Sequence, residues 1–192
     1  MRVDEQFLDL AQFKLPEGFR GRNPVIVQLW WIVQSTLFAW SPQFMYGWRR
    51  MLLRCFGASV GDGVLIRPSA RVTYPWKVRI GHQSWIGDDA VIYSLGDINI
   101  GDNVVISQRG YLCAGTHDYK SVAFPIIGQR IVVEDQCWIA ADVFVGPGVH
   151  ICSEVVVGAR STVLRDIEHS GVFAGHPLRY MGPLKTRRVS PT

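Results

Sequence analysis

From Val60 onward an aliphatic residue returns at every sixth position, and that beat limits the chain to very few architectures. The leaders are Val60, Ile66, Val72, Ile80, Ile86, Ile92, Ile100, Ile106, Leu112, Val133, Ile139, Val145, Ile151, Val157 and Val163. The fifth residue of each unit is usually small, as at Ala70, Ser84, Ala90, Gly96, Gly110, Thr116, Cys137 and Ser161, with Trp76 and Ile167 as exceptions. A sixfold period matches neither a helix nor an isolated strand. It fits one flat side of a three-sided parallel β-helix, in which each leader points inward and the small residue fits a corner. One such unit cannot bury its own leader, so coils of three must stack, roughly 4.8 Å apart as strands in a sheet do. Glycine and asparagine at Gly61, Gly81, Gly101, Asn103 and Gly158 suit corners that need unusual backbone angles.

Counted in threes, the leaders make about five coils, beginning at residues 60, 80, 100, 133 and 151. The extra residues fall at 78–79, 98–99 and 118–132, each time between the third side of one coil and the next coil. All interruptions therefore share one corner. His117, the sixth residue of a third-side unit, stands at that corner, at the root of the long loop. The same count sets Asp97 and His150 in its column, with Lys77 and Glu168 beyond. A 15-residue excursion without a pattern of its own is uncommon unless it covers something.

The rest of the 192-residue chain constrains less. With 48% hydrophobic and 19% charged residues it is a globular protein, not a disordered one. The net charge of +4 is mildly basic, and the Lys and Arg are scattered rather than gathered into a stripe, so nucleic acid is not an expected partner. Cys55, Cys113, Cys137 and Cys152 form no CxxC pair, which fits reduced thiols in the cytoplasm. The start, MRVDEQFLDL, carries acids where a secretory signal has bases. Residues 1–59 are expected as an N-terminal extension, 60–176 as the β-helix with loop 118–132, and 177–192 as a basic tail. Within the extension, PVIVQLWWIVQSTLFAW from Pro24 is too short and polar to span a bilayer. Its large residues Ile26, Leu29, Trp30, Val33, Leu37 and Trp40 follow helical spacing, as expected of a helix packed on the body. The alternative is peripheral contact with the inner membrane face, with Trp48, Arg49 and Arg50 reaching lipid phosphates.

Several stretches resemble the hexapeptide-repeat acyltransferases, above all the acetyltransferases of exopolysaccharide assembly of the colanic acid type. They are RCFGASVG at Arg54–Gly61, TYPW at Thr73–Trp76, YLCAGTHDY at Tyr111–Tyr119, CWIAADVFVGPGV at Cys137–Val149 and FAGHPLR at Phe173–Arg179. The resemblance runs from about Arg22 to Arg179. It implies a mainly β fold, a left-handed parallel β-helix with a short helical N-terminal segment. It further implies O-acetyl transfer from acetyl-coenzyme A to a hydroxyl of a sugar or lipid-linked saccharide, without metal, in a homotrimer whose clefts lie between prisms.

In such proteins the histidine matching His117 is the general base, a role that suits an imidazole of ordinary pKa near 6.5. One ring nitrogen must then be held as donor so that the other faces the substrate; Asp97 could hold it or bind the sugar, and a backbone carbonyl would serve equally well. Trp138 matches a residue lining the acyl-carrier cleft. Ser107, Ala141 and Ala159 match positions near coenzyme A, and Arg165 and Arg179 match bases near its phosphates. Where many relatives place Asn against the acceptor, this chain has Ser94. The loop also lacks the Glu that maltose- and galactoside-type relatives carry after their histidine.

Two other readings share the fold. A γ-carbonic-anhydrase-type zinc site would pair His82 with His117, but Val122 stands where its third histidine belongs, and zinc hydration wants three protein ligands. A scaffold without turnover would leave the long loop without a purpose.

Overall fold

The computed structural model describes residues 7–185. The basic tail expected over 177–192 lies outside the described residues from 186 onward. Three parallel sheets form the sides of a prism. The first stacks Ser59–Val60, Val78–Ile80, Ile98–Ile100, Ile131–Val133 and His150–Ile151. The second stacks Leu65–Ile66, Trp85–Ile86, Val105–Ile106, Trp138–Ile139, Val155–Val157 and Gly171–Ala174. The third stacks Arg71–Val72, Val91–Tyr93, Tyr111–Cys113, Phe144–Val145 and Thr162–Val163.

The register is the one the leaders imply. Val60 faces Ile80, which faces Ile100, and Val133 joins Ile100 to Ile151. All fifteen leaders are buried in one continuous core. Each fully buried aliphatic side chain contributes about 1.5–3 kcal/mol, and only the stack buries it. Five coils are complete and a sixth is partial, because the side after Val163 is cut short. Ile167 bridges Ile151 and Phe173 pairs with Val157, so Ile167 is a leader and not the corner exception of the sequence count. Arg179–Gly182, inside the span expected as a tail, then turns back antiparallel on Gly171–Ala174.

Of the corner residues singled out, Asn103 has the unusual angle expected, whereas Gly61, Gly81, Gly101 and Gly158 do not. Gln83, Asn103, Gln136 and Glu154, each fourth in a first-side unit, have positive φ, as do Asp89, Arg109, Asp142 and Arg160 on the second side. Gly61, Gly81 and Gly101 have ordinary angles. They are needed because coils approach too closely: a Cβ on Gly61 would lie 2.7 Å from the Gly81 carbonyl carbon.

Two helices close the N-terminal end. Pro24–Val33 (α1) is capped by the Asn23 side chain, which accepts from the Val25 N–H, and runs into a wider turn at Gln34–Phe38. Tyr46–Cys55 (α2) follows. The first coil is a sheet edge whose peptide groups need partners. Trp30 Nε1 donates to Val72 O at 2.8 Å, and Val72 N donates to Gln34 Oε1. Arg49 Nε donates to Ile66 O, Arg50 to Val64 O and Arg54 to Val60 O. Arg49 and Arg50, expected in one reading to meet lipid phosphates, thus bind carbonyls of their own chain. The buried stripe of the first helical segment is Val27, Trp30 and Phe38. Ile26, Leu29, Leu37 and Trp40, expected on the packing face, are exposed.

Candidate active site

The excursion at 118–132 has a pattern after all. Gly115–His117 pairs antiparallel with Ile126–Gly128, with His117 opposite Ile126, so the histidine sits near the tip of a two-stranded arm. Asp118 N donates to Pro125 O at 3.0 Å to close the tip, and Asp9 N donates to Val122 O, tying the N-terminal segment to it.

The imidazole of His117 is half-buried. Its Nδ1 lies 2.9 Å from the carbonyl oxygen of Phe124. A carbonyl only accepts, so Nδ1 carries the proton of the neutral ring and Nε2 presents its lone pair. The Phe124 ring stacks on the imidazole at 4.1 Å and 8°, and Phe13 stands 6.2 Å away, tilted. Phe124 reaches this position with φ of 48°, a strained conformation for a bulky residue. Sequence reasoning missed Phe124; its one local signal is Pro125, which marks a turn.

Asp97 is not in the column of His117. Ile131 pairs with Ile98, which puts Arg130 across from Asp97 on the ladder. His150 belongs to the neighbouring column through Val132 and pairs with Glu134 at 2.7 Å. Asp97 instead lines a cleft of about 340 Å³ with Lys77, Arg79, Asn99 and Arg130, at the corner from which the arm departs. Lys77 Nζ donates to Phe19 O and Leu95 O; burial pushes its ammonium below the usual range, and Asp97 opposes that shift. The cleft is cationic with one carboxylate. Ser94, expected at the acceptor, is fully buried. Its hydroxyl donates to Tyr74 O and accepts from Tyr74 N, joining two coils.

Trp138 and Ser107 do come together: the indole Nε1 donates to Ser107 Oγ at 2.9 Å on the outer surface of the second side. Ala141 and Ala159 share a column at the next corner, where Arg160 N donates to Ala141 O. Ser107 lies one residue before that column. Arg165 lines a groove of about 470 Å³ with Leu164, His176 and Tyr180 at the last coil, and Arg179 is exposed on the turned-back strand. Within one chain, therefore, the structure does not unite these residues with His117. The histidine leaves the corner between third and first sides, whereas Trp138, Ser107, Ala141 and Ala159 occupy the second side and the corner between second and third.

His82 Nδ1 accepts from the Asp62 N–H at 3.1 Å and serves the stacking of two coils. Among the described residues no three of His, Cys, Asp and Glu are grouped to hold a metal ion. Nor, among them, is any helix long and apolar enough to cross a membrane.

No family model matches the chain. It is 53% identical over 169 residues to "Putative colanic acid biosynthesis acetyltransferase WcaF" of Escherichia coli (strain K12), covering 88% of this chain and 93% of that protein. It is 29% identical over 148 residues to a galactoside O-acetyltransferase of the same organism, covering 72% of this chain and 70% of that one. Among solved structures, a hexapeptide-repeat containing acetyltransferase of Vibrio cholerae complexed with acetyl coenzyme A superposes with a TM-score of 0.74 at 25% identity, covering 84% of this chain and 88% of that one.

Proposed function

The chain belongs to the hexapeptide-repeat acetyltransferases of the colanic acid biosynthesis type, and from that premise we propose that it moves acetyl from acetyl-coenzyme A to a sugar hydroxyl in polysaccharide or glycolipid assembly. His117 is the general base. The observation that carries this is the Phe124 carbonyl on Nδ1, which leaves Nε2 as the one basic nitrogen of the ring. Nε2 takes the proton of the acceptor hydroxyl as its oxygen attacks the thioester carbon. The tetrahedral adduct then collapses with cleavage of the carbon–sulfur bond, and the imidazolium returns the proton to the leaving thiolate. Transfer is direct, since a covalent route would need an activated nucleophile. Cys137 is no candidate, because burial pushes its thiol up to about 11.

The pantetheine arm runs past Trp138, Ser107, Ala141 and Ala159, with Arg165 and Arg179 near the phosphates. These residues and His117 lie at different corners, so the working cleft draws on two copies, and a cyclic homotrimer supplies three equal clefts. Asp97, in the cationic cleft at the root of the arm, binds the acceptor saccharide. The cytoplasm, where activated sugars and acetyl-coenzyme A are made, is the site of action. The test is release of free thiol from acetyl-coenzyme A with saccharide precursors as acceptors. His117→Ala should lower release by about 10²–10⁴ while circular dichroism stays unchanged; turnover near the wild-type rate overturns the assignment.

A further inference from the structure

The segment from Pro24 to Phe44 buries one narrow stripe and leaves an apolar surface around it. On the helix wheel Val25 and Ile32 stand opposite Trp30, whose ring is sealed against the first coil, and Leu29 stands to its side. Val25 is 73% exposed, Ile32 60%, Trp40 84% and Phe44 80%. Polar groups on it are few: Gln28 and Gln43 are exposed, while the hydroxyls of Ser35 and Thr36 both donate to the Ile32 carbonyl. A helix with apolar side chains on more than one side calls for cover on more than one side. The prism covers one.

The charge around this surface selects the cover. No Asp or Glu occurs between Glu17 and Asp62, whereas Arg20, Arg22, Arg49, Arg50 and Arg54 do. Arg49 is buried, Arg50 donates to Val64 O and Arg54 pairs with Asp62 at 3.1 Å, while Arg22 is exposed at the start of the helical pair. A second copy seated here would bring Arg20 and Arg22 against their counterparts, with no acid between Glu17 and Asp62 to match them. An anionic lipid surface matches both the apolar face and the charge, and exposed Trp31, Trp40 and Phe44 suit the depth of the headgroups. No helix among the described residues can span the bilayer, so the contact lies in the plane of the interface.

We propose that the outer face of residues 25–44 docks the enzyme on an anionic membrane leaflet, at the end of the prism built from the first coil. This surface shares no residue with the acetyl-transfer site and stands independently of that reading.

The experiment is co-sedimentation of the full chain with vesicles of phosphatidylethanolamine and phosphatidylglycerol, and with vesicles of phosphatidylcholine alone. Pelleting with the anionic vesicles is expected, weakened by salt, together with little pelleting on phosphatidylcholine. Leu29→Gln with Ile32→Gln, and separately Trp40→Ser with Phe44→Ser, should each cut the bound fraction on the order of tenfold. Melting curves, and thiol release with a water-soluble acceptor, report whether the variants fold. The second pair alters exposed side chains only and keeps the test available if the first fails to fold. Wild-type protein left in the supernatant with anionic vesicles overturns the proposal, as do folded variants that pellet like wild type. So does a lipid-free oligomer seen by light scattering that both variants lose, since that assigns the face to a second copy.

Discussion

Phe124 holds His117 in two ways: its carbonyl oxygen lies 2.9 Å from Nδ1, and its ring lies parallel to the imidazole at 4.1 Å. The first fixes the tautomer and the second fixes the ring plane. Phe124→Gly keeps the carbonyl, removes the stack and relieves a positive φ. It should lower kcat about tenfold with KM little changed and no loss of melting temperature, whereas His117→Ala should cost about 10²–10⁴ in rate. Steady-state kinetics beside melting curves separates the two.

Because His117 and Ala141 stand at different corners of one prism, two inactive variants should rescue each other. His117→Ala removes the base and Ala141→Trp fills the coenzyme channel. Subunits mixed at random by refolding together should regain about a quarter of wild-type activity, the statistical share of clefts with both parts intact. No regain would place the whole cleft in one chain.

Gly81 separates two accounts of the glycines in the repeat. Its φ is ordinary, but a Cβ would lie 2.5 Å from the Gly101 carbonyl carbon. Gly81→Ala should therefore cost about 1–3 kcal/mol in denaturant titration, although alanine tolerates the backbone angles.

Arg49 is fully buried and donates to Ile66 O, Ser41 Oγ, Pro42 O and Gln43 O. Arg49→Ala leaves these acceptors without a donor and should destabilise by about 2–4 kcal/mol. Arg49→Lys should recover only part, since an ammonium cannot reach the fork of partners. Arg50, with one carbonyl partner, should cost less by the same measurement.

Cys137 is buried, and its thiol is raised from the usual 9.0 to about 11 by desolvation. Since the folded pKa is the higher, this group's contribution to stability is complete below about pH 9 and is lost as the pH rises to about 11. Iodoacetamide followed by mass spectrometry should modify exposed Cys55 at neutral pH and leave Cys137 untouched until the protein unfolds.

Much of the fold was legible because burial repeats locally. Val60, Ile66 and Val72 each need one inward direction per six residues, and that information survives in one dimension. The same regularity hid the short side after Val163, where four residues replace six and Ile167 takes the leader's place. The site was legible only as a histidine beside an interruption. Asp97 was counted into the wrong column because the arm beginning at Gly115 leaves the ladder, and Arg130 fills the position instead. Ser94 has the polarity of an acceptor ligand, and only the stacking of Tyr74 against it reveals a hydroxyl with both functions in use.

The periodic leaders by themselves settled the three-sided stack and the pairing of its sides, since an aliphatic side chain has one requirement, removal from water, and spacing alone states it. Tertiary structure decided which nitrogen of His117 is free, how the first coil's carbonyls are met by Trp30, Arg49, Arg50 and Arg54, and which face of the Pro24 helix stays bare. These depend on directional bonds to backbone atoms that every residue carries alike, so their partners are fixed by the path of the chain through space and leave no mark in the order of its side chains.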